Sequence, residues 1–216
     1  MTNFYTLQQN GSHELIIKKS RFITSLKRVE TEAEAIAFIQ QIKKEHHTAN
    51  HNCSAYLIGT HDQIQRASDD GEPAQTAGVP MLTTLKNLEL KNVVAVVTRY
   101  FGGTKLGAGG LIRAYSHAVS HGLTELGLVI GKPQQEIRLT IAYSLLGKLQ
   151  SFLENQWHTK DTLFTEAVTV ICLIDEEKVP DFTEQVIDLL AGQVTIEKGK
   201  ISYHELPLNP IEKEND

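Results

Sequence analysis

Apolar positions along the chain change period several times, and each change marks an element. Between His13 and Val29 the strand formers Ile17, Phe22, Ile23 and Val29 surround a cationic cluster, Lys18, Lys19 and Arg21. This predicts two strands or one bent strand, with the charges protecting a solvated edge. Residues 31–46 switch to helical spacing: Ala35, Phe38, Ile39 and Ile42 share a face, and Thr31 stands three positions before Glu34 as in a capping box. "CSAYLIG" and "QIQRASDDG" read as a hairpin that turns near His61 and Asp62. "DDGEPAQTAGVP" then breaks the pattern as a loop, and Pro80 suits the first turn of a helix carrying Leu82, Leu85 and Leu88.

"NVVAVVTRY" is a continuous β-branched run, the pattern of a strand buried on both faces, with Arg99 emerging at its end. Glycines follow at 102, 103, 107, 109 and 110, and from Gly109 a helix is predicted with Ile112, Tyr115, Val119 and Leu123 as its apolar stripe. "GLVIGKP", residues 127–133, reads as the end of a first unit. The pattern then restarts: Ile137, Leu139, Ile141 and Tyr143 alternate as a strand, Leu146, Leu149 and Leu153 continue as a helix, and "HTKDTLF" and "AVTVICLI" read as strands. A helix with Val179, Phe182, Val186 and Leu189 and a last strand, "QVTIEKGKISYHEL", complete the order βαββαβ, the split-βαβ ferredoxin-like plan. The predicted class is α+β, with domains over residues 1–133 and 134–205 and a flexible tail over 206–216.

Composition narrows the function. Twenty-one lysines and arginines against 26 acids give 216 residues a net charge of -5, which excludes a chain-wide attraction to nucleic acid and leaves only a local one. Such a local field exists: Leu90 to Thr124 carries Lys91, Arg99, Lys105 and Arg113 and no Asp or Glu. Cys53 and Cys172 lie far apart in apolar runs, as reduced thiols do, so a cytoplasmic setting is expected. No run approaches the roughly 20 apolar residues of a membrane span, so no membrane partner is expected.

The glycine loop between a buried strand and a helix can hold an anion on free backbone N–H groups. It matches neither nucleotide fingerprint: Lys105 precedes Gly107 rather than following it, and Ile112 stands where GxGxxG needs glycine. Two readings therefore stay open, glycines that satisfy backbone geometry and glycines that contact a ligand. "SDDGEP" brings Asp69, Asp70 and Glu72 near Arg66; adjacent carboxylates can hold Mg²⁺, and an Asp-Gly turn explains them equally. His46, His47, His51 and Cys53 lack the second ligand pair of a zinc site, and Ser116 lacks a GxSxG elbow, so neither zinc nor acyl-transfer chemistry is expected.

"RYFGGTKLGAGGLIRAYSHAV", with "KKSRFI", "HNCSAYLIG" and "SDDGEPAQTAG", resembles the motif set of the IMPACT family in its bacterial, YigZ-like branch. The resemblance spans nearly the whole chain. It implies a first domain like ribosomal protein S5 domain 2, an α/β sandwich shared with the GHMP kinases, and a second like a ferredoxin-like domain of elongation factor G. Eukaryotic members are implied to regulate translation through protein contacts. The family surface carried over is Asp69, Asp70, Gly71, Glu72 and Pro73 with Arg99, Tyr100, Gly102, Gly103, Lys105, Gly107, Gly109, Gly110 and Arg113. Gln75 replaces the glycine expected within "EPAxTAG", which stiffens that loop.

The combined expectation is a cytoplasmic, translation-associated regulator. Its basic glycine surface, Arg99 to Arg113, and a facing acidic loop, Asp69, Asp70 and Glu72, would contact RNA, the ribosome or a translation-related protein, with no cofactor required and no catalytic residue. The rival is an enzyme or binding protein for a phosphorylated or nucleotide ligand, with Mg²⁺ on Asp69 or Asp70.

Overall fold

The computed structural model describes residues 3–154 and 156–208. Two compact units account for the chain, one built on Phe4–Ile130 and one on Gly131–Glu205.

The first unit opens with β1 (Phe4–Leu7), β2 (Gly11–Ile17) and β3 (Ser20–Arg28). The sequence leaves open one bent strand or two; there are two, because Lys18 and Lys19 both take positive φ, 44° and 69°, and close a two-residue hairpin. α1 (Glu32–Glu45) starts at Thr31, whose side chain accepts from Glu34 N while the Glu34 carboxylate reaches back, a complete capping box. β4 (His51–Ile58) and β5 (Ile64–Ser68) form the expected hairpin, and α2 (Gly78–Asn87), β6 (Val93–Tyr100) and α3 (Ala108–Leu126) follow.

These strands make a sheet in the order β2-β3-β6-β4-β5, every neighbour antiparallel. Central β6 is buried on both faces, as its β-branched run predicts. Val93, Ala95 and Val97 face α2 and α3, whereas Val94 and Val96 face α1 beside Ala35 and Ile42. Three of the four stripe residues expected on α3, Tyr115, Val119 and Leu123, are buried, and only Ile112 departs. Leu111, Ala114, Tyr115, Ala118, Val119 and Leu123 are buried, whereas Ile112 is 41% exposed and Leu111 takes the inward position in its place.

β7 (Leu128–Ile141) spans most of residues 127–133, where the sequence places the end of the first unit, and carries the chain into the second, the units dividing between Ile130 and Gly131. α4 (Leu146–Leu153), β8 (His158–Phe164), β9 (Val168–Asp175), α5 (Val179–Leu189) and β10 (Thr195–Pro207) complete the ferredoxin-like βαββαβ order. β7 pairs with β9 on one side and β10 also pairs with it, while β8 lies beyond β9. Leu149, Leu153, Phe182 and Val186 cover Ile137, Leu139, Val170 and Cys172. Tyr143 does not extend the strand; it sits in a single 3₁₀ turn, 51% exposed. Of the expected tail, β10 takes in Leu206 and Pro207, and residues 209–216 lie outside the described residues.

Candidate functional site

β6 hands its last residues to the glycine loop at one end of the first unit's sheet. Phe101 N donates to Asn50 Oδ1 at 2.8 Å and Gly102 N to Ser20 Oγ at 3.2 Å, which ties the loop to the residue before β4 and to the start of β3. At Gly102 the constraint is close approach: a Cβ there would lie 2.0 Å from the carbonyl carbon and oxygen of Lys19. Gly107 has φ 71° and ψ 165° and caps α3 with no side-chain hydrogen bond, so the first N–H groups of a 19-residue helix end without a side-chain acceptor. Arg113 turns back over this end; its Nη1 lies 3.8 Å from where a Gly109 Cβ would stand. Lys105 and Arg113 are both exposed, and Gly110 packs close to Leu106.

Beside this helix start lies a cavity of ≈ 410 Å³, with Phe101, Lys105, Leu106, Gly107 and Leu111 on one wall and His51, Glu72 and Arg99 at its base. Arg99 Nη1 donates to Glu72 Oε1 at 2.6 Å, and the two side chains are only 6% and 3% exposed. The Tyr115 hydroxyl donates to the same oxygen at 2.8 Å, and burial pushes its own pKa upward. Arg99 also lies against the rings of Phe22 and Phe101, at 5.4 and 5.6 Å. Its charge is therefore held against Glu72 rather than offered to solvent, and its buried Nε has no hydrogen-bond partner among the described residues.

A tight turn aims Glu72 inward. Asp70 and Gly71 take φ of 44° and 86°, and Glu72 N donates back to Asp69 O at 3.0 Å. Asp69 Oδ1 accepts from Ala77 N and Gly78 N at the start of α2, and its Oδ2 accepts from Gln75 N at 2.7 Å. Burial alone would raise the Asp69 pKa, but these three backbone donors outweigh it and hold the carboxyl below its ordinary value. Asp70 is likewise lowered against its burial, by Lys43 Nζ at 2.5 Å and Asn52 N at 2.6 Å. All four aspartate oxygens thus accept protein hydrogen bonds, a poor donor set for a hydrated Mg²⁺. Among the described residues no group of three His, Cys, Asp or Glu side chains could hold a metal ion.

Of the residues singled out in the sequence, Glu72, Arg99, Lys105 and Gly107 line one cavity. Gly109, Gly110 and Arg113 belong to the adjoining first turns of α3, and Gly103, at φ 84°, lies in the loop. Tyr100 turns elsewhere, its hydroxyl 3.0 Å from His46 Nδ1 and its ring under Arg21. Gln75, where glycine is expected, holds φ 62°. The sequence reading missed His51, Tyr115 and Phe101 as site residues. His51 Nε2 is 3.8 Å from Glu72 Oε2, and its Nδ1 is 2.9 Å from Asp70 O. Cys53 lies beneath, donating to Asp69 O at 2.9 Å, with burial pushing its thiol up to about 12.

Residues 18–123 match the Impact N-terminal domain, and residues 139–193 match a domain of unknown function, DUF1949. The IMPACT family member YvyE of Bacillus subtilis (strain 168) is 48% identical over 212 residues, 98% of either chain. The chain belongs to the IMPACT family. All four motifs that carry the resemblance fall inside the 18–123 match. A second IMPACT family member, YigZ of Escherichia coli (strain K12), is 37% identical over 184 residues, 83% of this chain and 90% of that one. The Protein IMPACT homolog of Saccharomyces cerevisiae (strain ATCC 204508 / S288c) is 36% identical over 102 residues, 45% of this chain and 39% of its own. A crystal structure of a hypothetical protein superposes with a TM-score of 0.58 at 32% identity, covering 91% of this IMPACT-family chain and 97% of its own. No described helix is long and apolar enough to cross a membrane.

Proposed function

We propose that this IMPACT-family chain is a cytoplasmic, translation-associated regulator whose first unit binds RNA at the start of α3. The observation that carries the reading is the uncapped N-terminus of α3, set between exposed Lys105 and Arg113 in a stretch without acids. Backbone N–H groups, the helix dipole and two free cations converge there, the combination that holds a phosphate. Arg99 does not join them, because Glu72 already neutralises it. Binding of single-stranded RNA and of ribosomes across a salt series tests the reading. Lys105→Ala and Arg113→Ala should each weaken binding and lower the salt slope by about one counterion. Binding that neither variant weakens, or none at all, overturns it.

A second reading has its own support. The ≈ 410 Å³ cavity is concave and part apolar, which suits a small phosphorylated ligand. Thermal stabilisation by nucleotides, with and without Mg²⁺, tests it. The saturated Asp69 and Asp70 carboxylates lead us to expect no dependence on Mg²⁺.

A further inference from the structure

We propose that the cavity beside α3 receives one nucleotide, its phosphate on the first turn of α3 and an amino-bearing base on His51 and Glu72. The proposal rests on the reading of the α3 start as a phosphate site and adds what lies at the other end.

Two acceptors meet at the base of the cavity, Glu72 Oε2 and, in the Nδ1–H tautomer, His51 Nε2, while the unpartnered Nε of Arg99 is buried out of reach of solvent. Asp70 O can only accept, so the hydrogen of a neutral His51 ring sits on Nδ1, and Nε2 presents its lone pair. Glu72 Oε1 is filled by Arg99 and Tyr115, while Oε2 takes no hydrogen bond from the described residues; His51 Nε2, at 3.8 Å, is beyond hydrogen-bond range. Glu72 lines the cavity, so a ligand donor can take the place of water on this oxygen. One –NH₂ group can donate a hydrogen to each acceptor, whereas a carbonyl in its place would meet two lone pairs.

The same arrangement argues against a cation. Arg99 already balances the charge of Glu72, so the base of the cavity calls for donors rather than positive charge. Phe101, 46% exposed, and Leu106 and Leu111 supply an apolar wall on which a ring can stack. Cytosine and adenine carry the required amino group; uracil places a carbonyl there.

A free nucleotide and an unpaired nucleotide of RNA supply the same chemistry, so both are tested on the full chain. Calorimetric titrations compare CMP, UMP and ribose 5-phosphate, and short single-stranded RNAs ending in C or in U. CMP should bind about tenfold more tightly than UMP or ribose 5-phosphate. Preference for the C-ending RNA places the site on a strand terminus, and preference seen with CMP alone places it on a free nucleotide; either supports the proposal. In Glu72→Gln the amide oxygen stays on Arg99 and Tyr115 and the –NH₂ turns into the cavity, so the preference should reverse toward UMP. Phe101→Ala should weaken CMP and UMP alike, about fivefold or more. If Glu72→Gln does not fold, the wild-type CMP to UMP ratio and Phe101→Ala decide. Equal binding of the three small ligands, or RNA binding sensitive to Lys105→Ala with no nucleotide preference anywhere, overturns the proposal while the RNA reading stands. CMP preference with no RNA binding does the reverse.

Discussion

Arg99 and Glu72, 27 positions apart, form an ion pair of 2.6 Å that is shut away from water at the base of the cavity. Each charge is tolerable there only because the other is present. Arg99→Ala leaves Glu72 with Tyr115 as its one short-range donor and should cost about 3–5 kcal/mol of stability. The double variant Arg99→Gln with Glu72→Gln should lose less than the single, because neither side is left charged. Urea denaturation of the three proteins checks this, and a double loss equal to or larger than the single contradicts it.

Asp69 is the cap that α2 lacks at Ala77, where no side-chain hydrogen bond forms at the helix's own N-cap position. Asp69→Ala frees three backbone N–H groups and should lower stability by about 2 kcal/mol, read as a fall in Tm.

The pH dependence follows from the same loop. Asp69 and Asp70 have folded pKa values depressed below the ordinary 3.8. Their contribution is therefore complete above that value and is lost as pH falls through it toward the folded pKa. Stability measured from pH 6 to pH 2 should drop on the acid side, and Asp69→Asn should flatten that limb. An unchanged limb would show that these hydrogen bonds do not set acid stability.

Gln75 sits at φ 62°, in the left-handed region that favours glycine, while its N–H still donates to Asp69. Gln75→Gly should relieve the strain, keep the hydrogen bond and stabilise the protein by about 0.5–1 kcal/mol net of the extra freedom of the unfolded chain. Chemical denaturation of the variant measures it.

Cys53 and Cys172 are buried, and burial pushes both thiols up to about 12. At pH 8 a thiol reagent should find neither in the folded chain and both after denaturation. Rapid modification of Cys53 in the native protein would show that the loop over it opens.

Much of this protein was settled by its local pattern. Thr31 and Glu34 with the period of Ala35 to Ile42 make α1, the β-branched run makes β6, and the spacing after residue 134 makes the ferredoxin-like unit. Those signals are local because side-chain direction repeats with the backbone, so a run of residues reports which faces are covered. Pattern fails where a neighbour fixes the phase: Leu111 rather than Ile112 faces the core, and Tyr143 leaves its strand for a turn. The sequence marked Glu72, Arg99, Lys105 and Gly107, but tertiary structure decided which residues meet there. His51, Glu72, Arg99 and Tyr115 come from four separate segments, and only the β4–β6 register, which sets His51 opposite Arg99, and the packing of α3 bring them together. It also decided the fate of the carboxylates. Asp69, Asp70 and Glu72 look alike in sequence, but backbone N–H groups and Lys43 claim the first two, and only Glu72 keeps an oxygen for the cavity.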